Sequence, residues 1–455
     1  MVSDHYGFTH VFWTEEMSDF RTLVQYARFD GSTWTSPIDI FITSSFQNIG
    51  SVSPALGPDG MLYIVWTHPL LRTSYLMSAP AHKATSANNW SKPAQLKLPA
   101  KDALLQIDQA GVFHIFYSII EQEPGVYYIR SEDEGITWTS PLWLDRDILQ
   151  IHAPSSLNFE LDGKGGLHAA WSYDTIYDLG GDWVRYAHSL DGGLTWEKPI
   201  TYDRTEVGND VLTFASPVMA VNGETVHIIW ASGDPPRRNH IMSTDSGTTW
   251  SPAERIFGQL EGQAFDGLTF DGNGRLHYFG QIRFPRAIYH SIWVNNRWST
   301  PEIVYFIGDT EVSGKIESGD AVPPIDVIGA HNTIPTIQRG NQIILTFTDN
   351  PSAPQGRLFV MTHVMEDTIE QPVLPTPIVP DAVVSRAAPT EISNEVSSAE
   401  VAALPTPTRS VSVNGVTRQE ELPSTSFGLW AGIIPVIFLA GFAVIFKMIK
   451  GNRNE

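Results

Sequence analysis

The sequence predicts an all-β protein: a β-propeller of four-stranded antiparallel blades, followed by a Pro/Ser/Thr-rich stalk and one apolar C-terminal helix. Three observations predict it. A turn ending in Trp-x-x-Pro or Trp-x-Pro recurs at Trp34, Trp90, Trp138, Trp196, Trp250 and Trp298. A strand rich in β-branched and aromatic residues precedes each turn. The composition, with Trp 14, Tyr 14, Phe 22, Gly 36 and Pro 31, suits many short strands and turns.

The strands come in order within each repeat. Seven copies of one strand begin "GFTHVFW" at Gly7, "GMLYIVW" at Gly60, "GVFHIFY" at Gly111, "GLHAAW" at Gly166, "ETVHIIW" at Glu224, "GRLHYFG" at Gly274 and "NQIILTF" at Asn341. A short strand ending in Asp- or Gly-rich residues precedes most of them, as in "LNFELDGKGG". A third strand, such as "VRYAHS", leads into the Trp turn, and a fourth, such as "SPLWL", follows it. Four antiparallel strands per roughly 50 residues is the period of a propeller, in which blades bury their faces against one another around a ring. Seven such strands predict seven blades. The first repeat shows no inner strand and the last no obvious Trp turn, so six blades with one shared between the ends is the alternative.

The turns carry the strongest local signal: "SEDEGITW" at Ser131, "SLDGGLTW" at Ser189 and "STDSGTTW" at Ser243. Short acceptors on Ser131, Asp133, Ser189, Asp191, Ser243 and Asp245 suit the amides of their own turns. Gly135, Gly193 and Gly247 supply a positive φ without a Cβ clash. Trp138, Trp196 and Trp250 pin each hairpin by burying a large ring. Ser-x-Asp-x-Gly-x-Thr-Trp is the Asp-box, or BNR repeat, and over residues 1–370 the chain resembles the sialidase-like propeller superfamily. One box per blade puts the three aspartates on the perimeter, where they serve folding. His10, His114, His168, His227 and His277 occupy one place in different blades, so they are read as inter-blade packing residues with a bonded ring nitrogen, not as a metal site.

Composition bounds the function. A formal charge of −21 opposes a phosphate backbone, so no nucleic-acid partner is expected. Zero cysteines exclude disulfides, thiolate metal sites and a Cys nucleophile. No cofactor and no metal are implied.

Strand order separates two faces. One carries the tight first-to-second turns and the Trp turns. The other carries longer, irregular loops, and function on a rigid scaffold is usually placed in such loops. There Tyr173, Tyr177 and Trp183 could stack on sugar rings, with Asp174, Asp178, Asp182 and Arg72 bonding hydroxyls. The resemblance also implies a sialidase chemistry: three arginines around a carboxylate, a Tyr nucleophile activated by a Glu, and an acid/base Asp. Arg72, Arg237, Arg238, Arg283 and Arg286 are candidates for the arginines; Tyr173, Tyr177, Asp174 and Asp178 for the rest. The chain departs from the pattern, lacking the early Arg-Ile-Pro motif and any Tyr matching the late nucleophile. The reading is therefore a non-catalytic propeller that binds a glycan or surface protein, with a tethered exo-sialidase-like hydrolase as the alternative.

Residues 371–426 hold two "PTP" triplets and few aromatics, a stalk composition. Phe427–Phe446 runs twenty residues without a charge, enough to span about 30 Å of hydrocarbon. The tail 447–455 carries Lys447, Lys450 and Arg453, which orients it to the cytoplasm and the propeller outside the cell. "LPSTS" at Leu422 resembles a sortase sorting signal with Ser426 in place of its Gly, the alternative form of anchoring. Met1 is followed by neither a basic nor an apolar leader segment, so the true start is expected upstream of Met1.

Overall fold

A computed structural model describes residues 1–375 except 18–20, 45–48, 69–71, 121–122, 147–151, 176–180, 203–215, 234–235, 259, 261–263, 283–286, 307–333 and 349–357. The chain divides into two units at residues 394/395, and the described residues all belong to the first. The apolar segment 427–446 and the stalk beyond residue 375 lie outside the described residues. Among the described residues no helix is long and apolar enough to cross a membrane.

The fold is a seven-blade propeller. Blade 1 is Val2–Ser3, Thr9–Glu16, Thr22–Phe29 and Ile38–Ile42; blade 2 is Val52–Leu56, Met61–His68, Thr73–Pro80 and Ala94–Leu96. Blade 3 is Ala103–Ile107, Phe113–Ile119, Gly125–Ser131 and Leu142–Arg146; blade 4 is His152–Leu161, Leu167–Thr175, Gly181–Ser189 and Ile200–Tyr202. Blade 5 is Val218–Asn222, Thr225–Ser232, Arg237–Ser243 and Glu254–Ile256. Blade 6 is Ala264–Phe270, Leu276–Ile282, Ala287–Val294 and Glu302–Phe306, with Arg297–Trp298 also on its third strand. Blade 7 is Ile334–Gln338, Gln342–Thr348 and Leu358–Val364. All pairings are antiparallel meanders. The inner strand missing from the first repeat in sequence is the two-residue Val2–Ser3, too short to leave a hydrophobic pattern.

Second strands are buried on both faces, as Met61–His68 shows along its whole length. They therefore read as continuous apolar runs. Cores form between blades: Leu76 and Leu105 share one cluster, Tyr128 and Trp171 the next. Consecutive inner strands are laced by hydrogen bonds. Leu105 N donates to Ser53 Oγ (3.0 Å), Gln106 Nε2 to Phe159 O (2.9 Å) and Met219 N to Asn158 Oδ1 (3.3 Å). The seam closes in the same way. Between blades 6 and 7 Gly272 N donates to Gly340 O (2.6 Å), and across the seam of blades 7 and 1 Thr336 Oγ1 donates to Ser3 Oγ (3.2 Å) and Gln338 Nε2 to Gly7 O. Leu374 N reaches His5 O (2.8 Å) across it.

The three Trp turns form their expected bonds. In the turn at Ser189, Gly193 N donates to Ser189 Oγ (2.9 Å), while Thr195 N and Oγ1 donate to the Asp191 carboxylate (2.9 and 2.6 Å). The Thr195 hydroxyl leads the set that holds Asp191 down to about 2; Thr249 does the same for Asp245. Gly135, Gly193 and Gly247 all have φ of 84°.

The recurrent histidines are structural clasps. In blades 1, 3 and 4 the hydroxyls of Tyr26, Tyr128 and Tyr186 donate to Nδ1 of His10, His114 and His168 at 2.7–2.8 Å. The other nitrogen faces an aspartate of the first-to-second turn: Asp4 at 3.1 Å, Asp108 at 3.4 Å and Asp162 at 3.7 Å. In blades 5 and 6 a second histidine replaces the tyrosine, at 2.9 Å for both His227–His240 and His277–His290. Blade 2 has Tyr63 in the histidine's place, its hydroxyl 3.4 Å from Asp59. Burial lowers every one of these histidines, His168 and His227 to about 4.

Candidate functional site

The irregular-loop ends of the strands are where the sequence places a ligand, and two polar groupings stand there. The first joins blades 3 and 4. Tyr173 ends a second strand and faces Trp183 across the ladder, with ring centroids 6.3 Å apart. Arg185, two residues further along the same face, lays its guanidinium 5.5 Å from the Tyr173 ring and 5.4 Å from the Trp183 ring. Its Nη1 is 3.0 Å from Asp145 Oδ2 at the end of the outer strand of blade 3. Both charged side chains keep an opening to solvent, 22% for Arg185 and 13% for Asp145. Tyr173 is buried and Trp183 half-buried.

The second joins blades 5 and 6. Arg238 is fully buried, its Nε 3.4 Å from Asp266 Oδ2 and its Nη1 donating to Leu260 O (3.3 Å). The Tyr278 hydroxyl donates to Asp266 Oδ1 (2.8 Å). Gly280 makes this reach possible, because a β-carbon there would collide with that hydroxyl. Burial pushes Tyr278 far up, so it stays a neutral donor.

Two further carboxyls are shifted by their surroundings, one before the start of an inner strand and one near the tight-turn end of the next blade's inner strand. Asp102 directly precedes the inner strand of blade 3, with Lys101 Nζ 3.7 Å away; desolvation raises it against that lysine's pull. Glu160, on the inner strand of blade 4 opposite His168, is pushed up to about 7 by burial. Glu160 is thereby suited to proton transfer near neutral pH. No group of three potential metal ligands gathers among the described residues.

Of the residues singled out in the sequence, Tyr173 and Trp183 are brought together. Asp174 and Asp182 are placed by their backbone only: Asp174 pairs with Gly181, and Asp182 follows it in the third strand. Arg72 is exposed with a left-handed φ of 51°, in the second-to-third turn of blade 2. Arg237 is half-buried at the start of its strand, opposite Ser232. Tyr177, Asp178, Arg283 and Arg286 lie outside the described residues. Arg185 and Asp145 escaped the sequence reading. Aligning third strands would have exposed Arg185, which takes the place of Gln25, Tyr75 and Tyr127 in blades 1–3.

No family model and no curated protein matches the chain. Solved structures do. A PL25 ulvan lyase bound to -[GlcA(1-4)Rha3S]- aligns with a TM-score of 0.54 at 12% identity, over 84% of this chain and 94% of its own. The polysaccharide lyase Uly1 aligns at 0.52 and 10% identity, over 79% and 88%. A Hadza microbial sialidase aligns at 0.43 and 11% identity, over 78% and 75%. The chain shares the propeller fold of the two lyases.

Proposed function

We propose that this chain is a sialidase-like Asp-box propeller that recognises a glycan on its irregular-loop face without cleaving it, tethered outside the cell by Phe427–Phe446. The observation that carries the reading is the grouping of Trp183 and Tyr173 with the Arg185–Asp145 pair. An aromatic ring beside a planar donor and a planar acceptor is the side-chain set that grips a sugar: the ring takes its C–H face and the charged pair its hydroxyls. The lyase fold offers the same scaffold for holding polysaccharide. A surface protein is the runner-up ligand.

The hydrolytic alternative needs guanidinium groups turned towards a substrate carboxylate. Arg238, one of the candidates, is instead enclosed with Asp266, and opening that pair would strand a buried charge. The raised carboxyl of Glu160 favours proton-transfer chemistry and keeps a cleaving enzyme as the second reading. Presenting the full chain with a glycan array, a fluorogenic sialoside and a uronate-containing polysaccharide separates these. Specific retention without turnover is expected. Turnover of either substrate, abolished by Glu160→Gln, would replace the binding reading with the enzymatic one.

A further inference from the structure

The level of the ring that holds Arg185 is built from aromatic stacks at other blade junctions. From blade 1 to blade 2, Phe41 stacks on Trp66 (4.7 Å) and Trp66 on Tyr75 (4.2 Å). From blade 6 to blade 7, Tyr305 packs on Phe347 (5.2 Å) and Phe347 on Phe359 (5.3 Å). From blade 4 to blade 5, Tyr202 packs on Trp230 (5.8 Å).

Register makes the positions equivalent. Phe41, Asp145, Tyr202 and Tyr305 pair with Val24, Val126, Val184 and Ile288, each two residues before the third-strand residue that bonds the recurrent histidine. Tyr75, Arg185 and Phe359 pair with Trp66, Trp171 and Phe347. Between blades 3 and 4, therefore, an Asp–Arg pair stands where the junctions of blades 1–2 and 6–7 have two aromatic rings, and where the adjoining junctions have one, Tyr127 beside Leu96 and Tyr202 beside Asn239.

This exchange does not serve the fold. Replacing a partly buried ion pair by well-packed apolar side chains is often neutral or stabilising. Donors also go unanswered there among the described residues, as Trp66 Nε1 does in the aromatic junction of blades 1 and 2. In blade 1 the cross-strand Gln25 accepts from Trp13 Nε1 at 2.7 Å. Arg185 cannot accept, and among the described residues neither Trp171 Nε1 nor Arg185 Nε has a hydrogen-bond partner.

We propose that Asp145, Arg185 and Trp183 form a subsite for a neutral pyranose. Resting on the glycan-binding reading above, this names the ligand class and its contacts. Arg185 donates to, and Asp145 accepts from, a vicinal pair of hydroxyls, while the open part of Trp183 carries the C–H face of the ring. A neutral sugar is selected because the Arg185 charge is already answered by Asp145. A carboxylate or sulfate placed there would meet the Asp145 charge in the same partly desolvated space, and the chain's charge of −21 adds to the repulsion.

The test uses the full chain on an array of neutral gluco-, manno- and galacto-oligosaccharides beside uronate and sialylated ones. The variants are Asp145→Phe/Arg185→Tyr, which restores the aromatic stack of other junctions, and Trp183→Ala. Retention of a neutral oligosaccharide is expected, with affinity varying little between low and high salt. The double variant should bind at least tenfold more weakly while melting at the same temperature or above. If it does not fold, Asp145→Asn and Arg185→Gln, close in shape, are expected to show the same loss. Undiminished binding by these variants overturns the subsite but leaves loop-face glycan binding standing. Preference for an acidic glycan with a steep salt dependence overturns the neutral assignment. Retention of no glycan at all removes the glycan-binding reading itself.

Discussion

The hydroxyl of Tyr128 stands where a β-carbon on Gly193 would go. Tyr128 belongs to blade 3 and Gly193 to the Trp turn of blade 4, so a turn residue of one blade is fitted to a core residue of its neighbour. Tyr186 and Gly247 repeat the relationship between blades 4 and 5. Each glycine thus serves its own hairpin, through φ, and the ring, through its missing side chain. The same tyrosines hold the buried histidines, which links turn, ring nitrogen and aspartate into one inter-blade clasp.

Gly193→Ala is expected to cost about 2–5 kcal/mol, adding left-handed strain to a collision with Tyr128. Its neighbour Gly192 has φ 68° but open space around a β-carbon, so Gly192→Ala should cost about 1–2 kcal/mol. Urea melts of the two variants decide it, and equal costs would show that the tyrosine yields freely.

Acid should loosen the ring in two stages. The buried histidines have folded pKa values below the unfolded 6.5, so their contribution is complete above pH 6.5 and declines as pH falls towards about 4. His168 alone corresponds to about 3 kcal/mol. Asp191 and Asp245, held to about 2, add a further loss between about pH 4 and 2. Melting temperature followed from pH 8 to pH 3 should be level above 7 and fall below 6.5. His168→Gln should make that first decline shallower, with His10, His114, His227 and His277 still contributing; a level profile of the unaltered chain down to pH 4.5 would refute the assignment.

Arg238→Met is expected to cost about 3–5 kcal/mol by leaving Asp266 buried without its cation. Arg238→Met/Asp266→Leu should recover most of it. Chemical denaturation of the single and double variants measures the coupling, and additive losses would mean that the two charges do not act as a pair.

Gln338→Leu removes a fully buried amide whose Nε2 serves Gly7 O and, at 3.5 Å, Phe29 O across the seam. A loss of about 1–3 kcal/mol is expected. Hydrogen exchange should quicken first in Val2–Ser3 and Ile334–Gln338, the strands on either side of the joint. Acceleration confined to a distant blade would place the weakest joint elsewhere.

The fold was largely legible because a repeated structure writes its constraints repeatedly. Ser189, Asp191, Gly193 and Thr195 answer needs met within one hairpin, and short-range hydrogen bonding and backbone strain act on neighbours in sequence. The histidine strands were legible as packing residues for a similar reason: a residue at one place in every blade cannot converge on a single point. The two-residue strand at Val2 was not legible, since periodicity needs length.

The site was less legible. The sequence by itself determined the blades, their turns and the sorting of connections into a short face and an irregular one, because these follow from local patterns. Only the tertiary structure decided that Arg238 is enclosed by Asp266, 28 residues away, and that Arg185 reaches Asp145 in the preceding blade. Such pairings depend on how one sheet lies against the next, and in a closed ring that geometry is set by all the blades together.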